Sequence, residues 1–232
     1  MRLFVLAGGF GTRLKPVVSD VPKPLAPVES LPFLGYLLKN WVEHGIRSFV
    51  FLLHYKASQI KDFVVGLEDT LLKDCEVRFV YEESRPLGTG GAIANAVETL
   101  GVNGMFMIAN ADTWVENGSA ILRSCVTQSI LVCRVPDAGR FGSVTIDDSG
   151  YVTRFEEKKS GNTKIWVYSG MAIVDASNFR EWDGRPFSLE QTFFPGLVAS
   201  RCLKAEKSEG AFVDIGVPED YAKFSETIGT LN

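Results

Sequence analysis

Histidine is nearly absent: the 232 residues contain two, His44 and His54. That is too few for a histidine-rich metal centre, and neither position carries an assignable role. The four cysteines, Cys75, Cys125, Cys133 and Cys202, form no C-x-x-C pair. Their spacing argues against a zinc knuckle or thioredoxin-type motif, and they read as reduced packing residues. No basic block occurs, and 24 basic against 28 acidic residues leave a formal net charge of −4. General affinity for nucleic acid or an anionic membrane is therefore not expected. No stretch is long and apolar enough to span a bilayer. The apolar opening Met1–Leu6 shows neither an n-region nor a cleavage site, so a cytoplasmic protein is expected. What is present is a globular composition, 46% hydrophobic and 22% charged, able to build a sizeable core.

Apolar runs alternate with helical patterns through the first half. Strands are predicted at Arg2–Leu6, Ser48–His54, Val77–Glu82 and Met105–Ala109. Helices are predicted at Phe33–His44, Ala57–Val65 and Gly91–Leu100. Near-continuous apolar strands in this order predict an α/β fold with a Rossmann-like, mixed but mostly parallel sheet covered by helices on both faces. After Asp112 the texture becomes β-rich, with strands at Ser129–Val135, Gly142–Asp147, Tyr151–Glu157 and Val167–Val174. Asp147-Asp148-Ser149-Gly150 carries a tight hairpin signal. Ser188–Ala199 reads as a helix capped by Ser188, with Pro195 placed to kink or split it. Short strands at Leu203–Lys207 and Phe212–Ile215 precede a last helix opened by Pro218. No linker or repeat interrupts the chain. One domain is expected, with a nucleotide-binding half (1–112) and a smaller β-rich half (113–232).

The first strand runs into Leu6-Ala7-Gly8-Gly9-Phe10-Gly11-Thr12-Arg13. Glycines in this position let backbone N–H groups approach a phosphate closely. A dinucleotide fingerprint requires a third glycine where Leu14 stands, and an acid at the end of the second strand, where Leu53-His54-Tyr55 stands. A P-loop requires Gly-Lys-Ser/Thr, and Gly11 is followed by Thr12-Arg13. Three readings remain: a loop that wraps a triphosphate, with Arg13 and Lys23 supplying charge, a dinucleotide loop that departs from its fingerprint at these two points, or a plain turn with a surface arginine.

Ala7-Gly8-Gly9-Phe10-Gly11-Thr12-Arg13-Leu14, followed by Pro22-Lys23-Pro24 and Pro27-Val28, resembles the signature of the sugar-1-phosphate nucleotidyltransferases. Pro86-Leu87-Gly88-Thr89-Gly90-Gly91, Asn110-Ala111-Asp112, Phe155-Glu156-Glu157-Lys158 and Val213-Asp214-Ile215-Gly216 follow in that family's order, so the resemblance spans almost the whole chain. Within the family the sequence is most similar to the D-glycero-α-D-manno-heptose-1-phosphate guanylyltransferases. The resemblance implies attack by a sugar-1-phosphate oxygen on the α-phosphorus of a nucleoside triphosphate, with release of pyrophosphate. Two anions meet in that reaction, so the protein's work is positioning and charge neutralisation.

Residue by residue, the resemblance makes Arg13 and Lys23 catalytic. It gives nucleotide contacts to Leu6, Ala7, Gly8, Gly9, Gly11, Thr12, Pro86 and Gly88. Asp112 and Asp214 become the ligands of a magnesium ion, which takes hard oxygen donors and few carboxylates. From the residues alone, Asp112 could instead be a turn or capping aspartate, and Asp214 half of a buried salt bridge. Gly142, Glu157, Lys158, Ser169 and Gly170 are assigned to the sugar phosphate. Glu83, after the third strand, offers acceptors only, which suits the two donors on one edge of guanine and favours GTP over UTP, dTTP or CTP. Glu82 is the alternative, because strand alternation lets one of the pair face inward.

Two departures from the family pattern stand out. Ala111 replaces a usual glycine and is expected to have ordinary φ. Tyr168 replaces a usual asparagine and is expected to stack on a sugar or narrow its pocket. Other classes stay open: a uridylyl- or thymidylyltransferase, a nicotinamide oxidoreductase, or a nucleotide-sensing module without catalysis. A glycosyltransferase would carry Asp-x-Asp where this chain has Asn110-Ala111-Asp112. No β-helix repeat follows the catalytic region, so a monomer or homodimer is expected rather than the trimeric bifunctional form.

Overall fold

The computed structural model describes residues 1–14, 16–83, 85–135, 143–156 and 165–231. Strand β1 (Arg2–Leu6) leads through the glycine loop to a 3₁₀ turn at Lys23–Leu25 and a small ribbon, β2 (Pro27–Val28) and β3 (Leu31–Pro32). Helix α1 (Phe33–Glu43), β4 (Ser48–Leu53), α2 (Ala57–Val65), β5 (Glu76–Tyr81), α3 (Gly88–Leu100) and β6 (Met105–Asn110) follow. The second half contains β7 (Thr113–Val115), α4 (Gly118–Arg123), β8 (Ser129–Val135), β9 (Ser143–Ile146), β10 (Val152–Glu156) and β11 (Ile165–Asp175). It closes with α5 (Phe194–Ala199), β12 (Lys204–Ser208), β13 (Phe212–Asp214) and α6 (Pro218–Leu231).

Among the described residues nine strands form one mixed sheet in the order β10-β9-β11-β6-β1-β4-β5, with β8 paired to β11 off this path and β12 paired to β8. Its centre is parallel: β1 lies between β4 and β6, and β5 flanks β4. Strand β11 joins it antiparallel and carries the second half. The apolar strands have helices on both sides because alternate residues feed two cores. Leu3, Val5, Phe49 and Phe51 pack with Leu34, Leu38 and Trp41 of α1. Phe4, Val50 and Leu52 pack with Ile93 and Val97 of α3. That double burial is why these strands show no polar alternation in the sequence. Helix α6 completes the first core, with the Phe224 ring 4.8 Å from Phe33.

Several expected elements differ at their ends. Helix α3 starts at Gly88, one turn before Gly91. The Phe187 carbonyl accepts hydrogen bonds from the Gly90 and Gly91 amides, which supplies partners to the first turn from outside the helix. Ser188 does cap a helical segment, accepting from the Glu190 and Gln191 amides. That segment is a π turn, Leu189–Phe193, and passes into α5 where Pro195 sits in the first turn. The Asp147–Gly150 hairpin forms as expected, closed by Gly150 N–H to the Asp147 carbonyl. Among the described residues no helix is long and apolar enough to cross a membrane.

Candidate active site

The C-terminal edge of the parallel strands opens into a cavity of about 360 Å³, the place where open α/β sheets receive ligands. Its floor is the loop after β1. Ala7 N–H donates to the Leu52 carbonyl, and Tyr55 N–H to the Gly8 carbonyl, so the loop is laced to the end of β4. Gly11 has φ +59, and a Cβ there would stand 3.0 Å from Lys23 Cβ. Both facts favour glycine, and the second places the loop against Lys23. Leu14, at the position of the missing third glycine, is 1% exposed in the core. The loop therefore turns over a buried leucine, and no dinucleotide-type glycine contact forms.

Leu6, Ala7, Gly8, Gly9, Gly11, Thr12, Arg13, Lys23, Pro86, Gly88 and Asp112 all line this cavity. Asp214 joins it through Lys23. Lys23 sits in the 3₁₀ turn between Pro22 and Pro24 and keeps 9% of its side chain exposed. Its Nζ lies 2.5 Å from Asp112 Oδ2 and 3.5 Å from Asp214 Oδ1. The two aspartates meet because β7 pairs antiparallel with β13, placing Thr113 opposite Asp214. The Ile215 amide adds a hydrogen bond to the Asp112 carbonyl. Ala111 is not among the described non-glycine residues with positive φ, so its Cβ is accommodated without strain.

The charges are unequal. Burial pushes the Asp112 carboxyl up, but the Lys23 charge and the hydrogen bonds from Lys23 and Thr113 outweigh it, leaving Asp112 below the usual aspartate range. Asp214 sits above that range, through burial first and the charge of Asp112 second, against the pull of Lys23 and Arg13. Two hard carboxylates thus share one ammonium. Among the described residues no group of three or more His, Cys, Asp or Glu could hold a metal. Such a donor pair fits magnesium, which takes one or two carboxylates and fills its other positions with phosphate and water. Structural zinc would require more protein ligands.

Of the two base-side candidates, the structure brings Glu82 to the cavity and leaves Glu83, which is exposed, outside it. Val80 points into the core and Tyr81 out, so alternation returns Glu82 inward. Glu82 Oε2 then accepts from Leu87 N–H at 2.5 Å, which pins the loop before α3. A Cβ on Gly8 would stand 3.1 Å from Glu82 Oε1, so a glycine is what lets this carboxylate reach the loop. Burial raises the Glu82 carboxyl above the ordinary range, partly offset by the Leu87 hydrogen bond.

Tyr168 also departs from expectation. It is 8% exposed and packs against Phe155 and Phe194, with ring centroids 5.9 and 5.1 Å away. Its ring belongs to the core beneath α5 and does not line the cavity. The register of β11 against β8 shifts between Tyr168 and Ala172, and Gly170 within this irregularity has φ +82. A Cβ on Gly170 would lie 2.8 Å from Asn110 Nδ2, so the bulge abuts a cavity residue. Ser169 is buried, and its hydroxyl finds no partner among the described residues. Gly142, Glu157 and Lys158 lie outside the described residues.

Phe10, Thr89 and Asn110, which stand in the quoted motifs but carry no role from the sequence, also line the cavity. Phe10 is 47% exposed, an apolar ring on a ligand-facing loop, and that combination was the available signal. Thr89 donates to Glu190 Oε2 at 2.9 Å and accepts from the Leu189 amide at 2.8 Å. These bonds tie the start of α3 to the second half of the chain.

The nucleotidyl transferase family profile matches residues 3–230. A D-glycero-alpha-D-manno-heptose 1-phosphate guanylyltransferase of Campylobacter jejuni is 31% identical over 230 residues, 97% of this chain and 98% of that protein. A mannose-1-phosphate guanylyltransferase catalytic subunit beta of Drosophila pseudoobscura pseudoobscura is 29% identical over 226 residues, 95% of this chain but 60% of that longer protein. The crystal structure of HddC from Yersinia pseudotuberculosis superposes with a TM-score of 0.83 at 34% identity, covering 98% of this chain and 99% of that one. A second HddC structure, complexed with GMP-PN, gives a TM-score of 0.82 at 33% identity over the same shares.

Proposed function

The chain belongs to the nucleotidyl transferase family, and from that premise we propose that it transfers GMP from GTP to D-glycero-α-D-manno-heptose 1-phosphate. The observation that carries the reaction type is the meeting of Arg13, Lys23, Asp112 and Asp214 at one end of a glycine-floored cavity. In this reaction a sugar-phosphate oxygen forms a bond to the α-phosphorus, and the α–β bridging bond breaks. Pyrophosphate leaves with the electron pair. The attacking monoester is already ionised near neutral pH, so no covalent nucleophile or histidine base is needed.

Arg13 offers a fixed fork of donors that stays charged, suited to the β- and γ-phosphates. Lys23, a compact cation on a short stiff turn, serves the α-phosphate and the incoming oxygen. The backbone amides after β1 receive the remaining phosphate oxygens. Asp112 and Asp214 would hold magnesium, which when bound supplies positive charge to the phosphates. The 1–112 half binds the nucleotide and the 113–232 half the sugar phosphate. In the second half, Gly142, Glu157, Lys158, Ser169 and Gly170 serve the acceptor. The enzyme acts in the cytoplasm as a monomer or homodimer.

The preference for GTP rests on Glu82. Its carboxylate has about four acceptor positions and gives one to Leu87 N–H. Guanine presents N1–H and its 2-amino group side by side, both donors. Uracil sets a carbonyl against the same oxygens. The acceptor sugar rests on the likeness to the Campylobacter jejuni and Yersinia proteins, with mannose 1-phosphate as the second choice from the Drosophila relative.

A matrix of GTP, ATP, UTP and CTP against heptose, mannose and glucose 1-phosphates, read by pyrophosphate, tests this. GTP is expected to lead the other triphosphates by at least about tenfold in kcat/KM, the discrimination of one good paired contact. The heptose phosphate is expected to lead the sugars. Faster turnover with UTP would overturn the role given to Glu82.

A further inference from the structure

Resting on that reaction, we infer that Lys23 competes with the divalent ion for Asp112 and Asp214, so that metal and triphosphate bind as linked partners. The ammonium lies 2.5 Å from one carboxylate and 3.5 Å from the other, so one cation already serves both. It is also held there. Pro22 and Pro24 flank it, Leu25 N–H closes the turn onto the Pro22 carbonyl, and Gly11 lies so close that a Cβ there would stand 3.0 Å from the Lys23 Cβ. The carboxylates are fixed from their own side. Asp112 Oδ1 accepts from Thr113, and Asp214 Oδ1 accepts from the Gly216 amide at 2.6 Å.

A divalent ion arriving alone meets carboxylates partly neutralised by an ammonium in contact with them, and the two cations repel. A triphosphate in the same cavity offers Lys23 other oxygens, which releases acceptor capacity on the aspartates. Nucleotide and metal therefore favour each other beyond their own chelation, and linkage makes the coupling reciprocal. Lys23 has two tasks on this account: it contacts the phosphates when they are bound, and it weakens metal binding when they are not.

The test uses manganese as the probe, followed by the magnetic resonance signal of the free ion, with no nucleotide or sugar present. Lys23→Met and Lys23→Gln are expected to bind Mn²⁺ at least about tenfold more tightly than the wild type, within the usual span of coupling energies. Lys23→Arg, which keeps the charge, is expected to stay near wild type. Asp112→Asn added to Lys23→Met is expected to abolish the gain. A second measurement needs no variant: acetylation of Lys23 in the wild type, read by mass spectrometry, is expected to rise along the Mn²⁺ binding curve.

Unchanged Mn²⁺ affinity in folded Lys23→Met or Lys23→Gln, or Lys23 acetylation indifferent to Mn²⁺, would overturn the inference. None of these readouts depends on GTP or a sugar phosphate. Failure of the transfer assay would count against the proposed reaction and leave the lysine competition standing.

Discussion

Arg13→Ala is expected to slow pyrophosphate release by about 10²- to 10³-fold, the usual consequence of removing one donor to a developing charge. The residue is exposed at the cavity wall, beside Gly216 and within electrostatic reach of Asp214. Its loop is held by backbone hydrogen bonds from Ala7 and Leu14 and by the burial of Leu14, none of which involves the guanidinium. Loss of the side chain should therefore leave the melting temperature nearly unchanged, within about 0.5 kcal/mol of stability. Arg13→Lys is expected to recover only part of the rate, because a point charge cannot reproduce paired hydrogen bonds. Wild-type turnover in Arg13→Ala would return the loop to a plain turn with a surface arginine.

Asp112→Asn is expected to cut turnover by about 10²-fold or more and to move the magnesium requirement to higher concentration in the same experiment. The amide keeps an acceptor for Thr113 but loses the charge that binds Lys23 and would bind the ion. The paired readout separates two roles. If Asp112 served only as the partner of a mostly buried lysine, the substitution would lower thermal stability and leave the metal titration where it was. Asp214 still reaches Lys23 at 3.5 Å, so the lysine is not stranded and the variant should fold.

The parallel centre of the sheet was legible because its strands are apolar on both faces and its helices keep a clear period. Helix α2 falls at Ala57–Val65 as the pattern predicts. Strand β7 and helix α4 went unread, being too short to show a period. Yet β7 is what brings the aspartates together. Pairing of Thr113 with Asp214 is a long-range contact, and neither local segment encodes it. Gly88-Thr89-Gly90-Gly91 looks like loop because glycine disfavours helix interiors. The carbonyl of Phe187, distant in sequence, turns it into the first turn of α3. Alternation along β5 turns Glu82 rather than Glu83 to the cavity, and the Leu87 amide, beyond the end of the strand, then fixes its carboxylate. At Tyr168 the sequence shows an aromatic ring beside a small-residue pair. Only the irregular pairing of β11 with β8 reveals that the ring turns into the core. Arg13, Lys23, Asp112 and Asp214 could be picked out as candidates without such contacts, because each sits in a short motif of restricted composition, and the fold brings them together.

The most direct measurement supplies a sugar 1-phosphate whose phosphate oxygens carry a heavy isotope, together with unlabelled GTP, and follows both phosphorus-containing products by phosphorus resonance and mass. Attack by the sugar phosphate on the α-phosphorus predicts a GDP-sugar that retains all the label, including the bridging oxygen, and pyrophosphate that carries none. Label in the released pyrophosphate or in inorganic phosphate, or GTP consumed without a labelled bridge, would contradict the transfer.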